Sequence, residues 1–211
     1  MKLMLTSSGL SNNSLKNALR ELVTGQIKIA FIPTAANMSK EDKGWLIQDL
    51  VNCKDVGAVD IVDISALKKE EWLPRLEWAN VIFVGGGDTA YLAEWIIKSG
   101  LDKEFPRLLE KRVYVGISAG SIVASKSIQA SSDYLYGDEV KNPPAGLGLV
   151  SFYVRPHLNN KSFPKVNEEH LGELASKFDG DLYGLDDCSG IVFNDGKIEV
   201  VSEGKWIKYP N

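Results

Sequence analysis

The stretch "YVGISAGSIVA", Tyr114 to Ala124, runs from a nearly continuous apolar strand through Gly116-Ile117-Ser118-Ala119-Gly120 into a helix-like pattern. An apolar run of this kind suits a buried strand of a parallel sheet. A single hydroxyl between two glycines at the end of such a strand has two readings. Either Ser118 is a nucleophile raised on a sharp turn, or the segment is an ordinary strand-to-helix connection that contains serine.

Outward from this stretch, strands and helices alternate. Lys2 to Thr6 reads as a strand, and the stripe Leu15, Ala18, Leu19, Leu22 and Val23 as a helix that ends before Gly25. Ile27 to Ala35 is a second strand. Ser39 with Asp42 resembles a capping box ahead of the helix carrying Trp45, Leu46, Leu50 and Val51. "AVDIVDIS" is a third strand, with Ser65 capping a short helix after it. "VIFV" (Val81 to Val84) is a fourth, followed by Gly85-Gly86-Gly87-Asp88-Thr89 and a helix ending near Gly100. This order implies an α/β fold: a doubly wound, mostly parallel sheet with helices on both faces.

After residue 126 the pattern changes. Short strand candidates follow closely: "GLVSFYV", "DLYGL", "SGIVF", "KIEVVS" and "KWIKYP", with a helical segment from about Pro164 to Phe178. The last three read as an antiparallel meander, with Asn194-Asp195-Gly196 as a hairpin signal. No linker or repeat interrupts the chain, so one domain spanning residues 1–211 is expected.

Composition narrows the function classes. A hydrophobic fraction of 44% supplies a sizeable core, and 24 basic against 28 acidic residues leave a net charge of −4. The signs are interleaved, as in Lys68-Lys69-Glu70-Glu71, so no basic stripe marks a nucleic-acid partner. "MKLMLTSSG" is too short a run for a signal-peptide core, and no apolar run approaches a membrane span; a soluble, cytoplasmic protein without a membrane partner is expected. Cys53 and Cys188 lie far apart, and the two histidines share no ligand spacing, so neither a metal nor another cofactor is expected.

In open α/β sheets, ligands bind beyond the carboxyl ends of the strands. "GGGDT" and "GISAG" both lie there, and the second fits the G-x-S-x-G nucleophile elbow, whose following helix offers amide N–H groups to an oxyanion. A serine nucleophile needs a base. His170, in "NEEHLGEL", reads as a surface helix residue, whereas His157, in "VRPHLNN", ends a strand candidate and is the better choice. Asp187 in "YGLDDCSG" and Asp133 in "SSDYLYG" both qualify as the acid that orients it.

These residues resemble the serine peptidases typified by aspartyl dipeptidase (peptidase E), with cyanophycinase as a relative. The family pattern of Gly-Gly-Gly-[Asn/Asp]-Thr, G-x-S-A-G, Pro-His and Gly-Leu-x-[Glu/Asp] appears here in order as "GGGDT", "GISAG", "PH" and "GLDD", over nearly the whole chain. The resemblance implies a fold like the class I glutamine amidotransferases, with Ser118 as nucleophile and His157 as base. It places the family's glutamate on Asp187 and an aspartate sometimes given a charge-relay role on Asp133; of the two, Asp187 is favoured. It also implies an oxyanion hole from the amide of Gly86 or Gly87 with that of Ala119, and a small peptide as substrate.

One position departs. The family's arginine for the substrate's aspartate side chain, fourteen residues past the catalytic histidine, falls on Leu171. Strict aspartyl specificity is therefore not expected. Arg155, which would share a face with His157 if the segment through Pro156 is extended, is the candidate substitute, with an ordinary surface charge as its other reading. Three other readings stand beside the peptidase: an α/β-hydrolase esterase using Ser118, Asp133 and His157, a nucleotide-binding module built on "GGGDT", and a catalytically inactive relative that binds a small molecule.

Overall fold

The computed structural model describes residues 1–132, 135 and 144–211. Five strands form the parallel part of the main sheet: β1 (Lys2–Thr6), β2 (Lys28–Ile32), β3 (Ala58–Ile61), β4 (Val81–Val84) and β5 (Val113–Ile117). Two more, β8 (Ser189–Asn194) and β9 (Lys197–Ser202), extend it antiparallel, giving the order β3-β2-β4-β5-β1-β8-β9.

Alternate residues of each parallel strand enter different cores, as the two-residue strand period requires. Leu3, Leu5, Ala30, Ile32, Ile82 and Val84 face one layer, with Trp72, Leu76, Leu92, Ile96 and Phe105. Those residues come from helices α3 (Lys69–Trp78), α4 (Thr89–Ser99) and α5 (Leu101–Leu108). Met4, Ile29, Phe31, Val81 and Phe83 face the other layer, with Leu15, Leu19, Leu22 and Cys53. Those come from α1 (Asn13–Leu22) and α2 (Gly44–Lys54). Burial on both faces is why the strands read as continuous apolar runs, and the doubly wound arrangement is the expected one.

Local details differ from the sequence reading. No capping box forms at Ser39: residues 34–38 wind as a 3-10 turn, and α2 opens five residues later, at Gly44, whose amide donates to Asp42. Ser65 does not cap a helix. Its amide and hydroxyl donate to Asp63, and α3 starts instead where Glu71 reaches back to the Lys68 amide.

The chain's last strands divide between two sheets. The β8–β9 hairpin turns through Asp195 (φ 47°) and Gly196 (φ 92°), as its Asn-Asp-Gly sequence predicts. β10 (Trp206–Tyr209), however, does not continue a meander; it pairs antiparallel with β7 (Leu182–Leu185), which pairs in parallel with β6 (Tyr153–Pro156). Asp186 diverts the chain by accepting hydrogen bonds from the amides of Cys188 and Lys205 and from the Ser189 hydroxyl. The small sheet β10-β7-β6 ends beside the carboxyl edge of the large one, which brings two sets of strand ends together.

Candidate active site

The turn after β5 has the conformation that its two glycines permit. Ser118 sits at φ 48° and ψ −107°, a region that L-residues rarely occupy. A Cβ on Gly116 would lie 2.6 Å from the carbonyl of Gly120, and one on Gly120 would lie 2.1 Å from the Val84 carbonyl oxygen, so neither position accepts a side chain. The strained backbone is held from β1. The Ser118 amide donates to the Thr6 carbonyl at 3.1 Å, and the Ser121 hydroxyl donates to the same oxygen at 2.8 Å. The short helix α6 (Ala119–Ile122) begins immediately after the serine.

Strand ends supply the rest of the site. β6 and β7 pair in register up to Pro156 and Leu185, so His157 and Asp187 emerge side by side just beyond the ladder. His157 Nε2 lies 2.9 Å from Ser118 Oγ, and His157 Nδ1 lies 2.7 Å from Asp187 Oδ1. The same Oδ1 accepts from the hydroxyls of Ser7 and Ser8, each at 2.8 Å, and Oδ2 accepts from the Asn160 side-chain amide. Ser7 Oγ in turn accepts the His157 backbone amide at 2.8 Å.

Electrostatics fix the direction of these bonds. Burial pushes the Asp187 carboxyl up, but the hydrogen bond and charge of His157, with bonds from Ser8 and Asn160, outweigh it and hold the acid well below the usual carboxylate range. An ionised carboxylate only accepts, so Nδ1 donates to it, and in the neutral form of the ring Nε2 is then the acceptor for the Ser118 hydroxyl.

On the other side of the serine lies the glycine loop after β4. A Cβ on Gly86 would stand 3.3 Å from the Ser118 Cβ, so this loop passes directly beside the hydroxyl-bearing carbon. Gly87 has φ 133°, and a Cβ there would meet the Ala35 carbonyl at 2.3 Å. The flanking amides are used within the fold, Gly85 donating to Ile32 and Asp88 to Ala35. Among the described residues, no acceptor takes the amides of Gly86, Gly87 or Ala119.

Two further sequence candidates are Asp133 and Arg155. Asp133 falls outside the described residues. Arg155 is buried, and its guanidinium donates to the Ala130 carbonyl and the Ser132 hydroxyl, each at 2.8 Å. The extended backbone on which a shared face with His157 depends stops at Pro156, and His157 takes a φ of 67°.

A model of peptidase family S51 matches residues 3–201. The chain belongs to peptidase family S51. It is a serine-type peptidase. An uncharacterised peptidase of Pasteurella multocida is 26% identical over 79% of this chain and 81% of its own. A peptidase E of Streptomyces coelicolor is 27% identical over 88% of this chain and 77% of its own. A crystal structure of a putative peptidase E protein from Listeria monocytogenes shares the fold, with a TM-score of 0.77, 23% identity and coverage of 96% of this chain and 98% of that one.

Within this S51 chain, several residues at the site escape a reading of the sequence. Ser7 and Ser8 are the clearest. They follow β1, so the rule that strand ends display chemistry points to "TSSG", but nothing local links them to an aspartate 180 and 179 residues away. Asn160 and Phe163 sit in the loop after His157, where the Phe163 ring stacks on the imidazole with centroids 4.4 Å apart and planes 8° from parallel. Leu171, where the family resemblance would put an arginine for an aspartyl side chain, is completely buried in helix α7 (Glu168–Leu174), in a cluster with Leu158 and Val166.

Proposed function

We propose that this S51 peptidase cleaves small peptides through an acyl-enzyme, with Ser118 as nucleophile, His157 as base and Asp187 as the acid that orients and charge-pairs the imidazole. The observation that carries the reading is the continuous hydrogen-bond line Ser118 Oγ–His157 Nε2 and His157 Nδ1–Asp187 Oδ1, at 2.9 and 2.7 Å. Its distances are those of general-base activation of a hydroxyl. As Ser118 attacks the carbonyl, its proton passes to Nε2, and the imidazolium is stabilised by Asp187. The amide of Ala119, with that of Gly86 or Gly87, donates to the oxyanion. His157 then returns the proton to the leaving amine, and water repeats the sequence on the acyl-enzyme.

The chain order Ser118, His157, Asp187 differs from the Ser, acid, His order of an α/β-hydrolase. Dipeptidase-like action fits the peptidase E relatives, but aspartyl restriction does not fit the residues at the two candidate positions for a cation. A desolvated substrate carboxylate needs a cation. Leu171 is apolar and buried, while Arg155 is buried and bound to Ala130 and Ser132.

The test is Ser118→Ala assayed on a panel of dipeptides and short peptides. Loss of about three orders of magnitude or more in kcat, with an unchanged melting curve, is expected from removal of a triad nucleophile. Retained hydrolysis in that variant would refute the reading.

A further inference from the structure

The imidazole of His157 is held at two points on nearly opposite edges, Nε2 by Ser118 and Nδ1 by Asp187. Rotation of the ring about its Cβ–Cγ bond would swing both nitrogens out of line with these partners, and hydrogen bonds weaken steeply as they bend. What prevents this has to touch the ring's face. Phe163 does so, in a nearly parallel stack at 4.4 Å.

The loop that carries Phe163 is tied at both ends. The Asn159 amide donates to Val166 at 2.7 Å, the Phe163 amide to Asn160 at 2.9 Å and the Val166 amide to Phe163 at 2.8 Å. Beneath it, Leu158 and Val166 are buried against Leu171. Asn160 binds the carboxylate that holds the other edge of the imidazole. Yet Phe163 itself is 36% exposed, lying over the imidazole and not in the apolar cluster below. Its ring contact is thus with the imidazole that it covers.

We propose that Phe163 is a positioning residue for His157. Its ring keeps the imidazole plane aligned with Ser118 Oγ, and its electron-rich face favours the imidazolium that forms as the serine loses its proton. This rests on Ser118 and His157 acting as nucleophile and base.

The experiment compares wild type, Phe163→Ala, Phe163→Leu, Phe163→Tyr and Ser118→Ala. It uses two readouts: the rate of covalent labelling of Ser118 by a fluorophosphonate, and kcat and KM on a dipeptide that the wild type hydrolyses. Misalignment of a catalytic group by a fraction of an ångström costs on the order of tenfold to a hundredfold, so Phe163→Ala should label and turn over that much more slowly, with KM nearly constant. Phe163→Tyr, which keeps the flat face, should recover the rate to within about threefold, as its stacking is similar. Phe163→Leu fills space without a flat face and should stay slow.

Wild-type rates in Phe163→Ala, or recovery in Leu equal to that in Tyr, overturn the proposal. So does a change confined to KM, which would make Phe163 a wall of the substrate pocket. Ser118→Ala separates the two levels: if it still labels or hydrolyses, the serine mechanism itself fails, whereas if it is silent while Phe163→Ala is normal, only the role of Phe163 fails. A wild type that neither labels nor hydrolyses any peptide overturns both.

Discussion

Replacing Asp187 by Asn exchanges one oxygen for an NH2 group and removes a charge, with almost no change of shape. Oδ1 accepts from His157 at 2.7 Å and from Ser7 and Ser8 at 2.8 Å, while Oδ2 accepts from Asn160, so every bond at this carboxylate arrives from a donor. An amide cannot satisfy that set in either orientation. With its NH2 toward Asn160, two donors face each other. With its NH2 toward His157, Nδ1 must accept, the ring proton moves to Nε2, and the base proposed for Ser118 is lost. The lost charge adds to this: two unit charges about 4 Å apart near a protein surface attract by about 4 kcal/mol. The Asp187 side chain is 34% exposed, so solvent screening reduces that figure. About 2–4 kcal/mol of transition-state stabilisation corresponds to about a 30- to 1,000-fold fall in kcat. KM should hold, because the carboxylate touches the imidazole and not the substrate. The assay is steady-state hydrolysis of a dipeptide, with thermal melts at the same pH. A loss smaller than about tenfold, with an unaltered melt, would show that Asp187 does not charge-pair the base.

Other expectations come from the same packing. Because Leu171 and Arg155 offer no ready cation, kcat/KM for Asp-Leu should exceed that for Leu-Leu by less than about a hundredfold (about 2.7 kcal/mol); a larger ratio would mean that another cation reaches the pocket. Leu171→Ala should cost about 2–5 kcal/mol and several degrees of Tm, since it empties the cluster of Leu158 and Val166 that roots the loop after His157. A surface-like effect, below about 0.5 kcal/mol, would refute that role. Asp49, on α2, is only 9% exposed, and burial pushes its carboxyl up to about 7. The folded chain therefore keeps a proton that the unfolded chain releases near pH 4, and stability should fall as pH rises from about 4 through about 7. Asp49→Asn should flatten that slope and add about 2–4 kcal/mol at pH 8 while changing little at pH 4; urea melts at the two pH values check it, and parallel wild-type and variant curves would contradict it.

Local periodicity determined much of the fold by itself. Strands buried on both faces must be apolar throughout, so "IKIAFI", "VIFV" and "VYVGI" announce a parallel sheet without reference to any partner. The turn at "GISAG" is legible too, because Ser118 at φ 48° between two close backbone approaches needs glycines on either side. His157 could be singled out because the chain offers two histidines and only one ends a strand.

What the sequence could not decide depends on which strand ends become neighbours. "KWIKYP" has the same local character whether it joins β9 or β7. In the fold it joins β7, where Asp186 gathers amides from two separate segments of chain. The preference for Asp187 over Asp133 came from the family resemblance, whereas its hydrogen bonds come from the register of β6 on β7, which carries His157 and Asp187 out together. Ser7, Ser8 and Phe163 carry no motif at all. Ser7 and Ser8 meet Asp187 only because β1 lies between β5 and β8, and Phe163 meets His157 only because its loop folds back. Periodicity reports which face of an element is buried; contact between ends distant in sequence is created by sheet order and register, which no stretch of the chain contains alone.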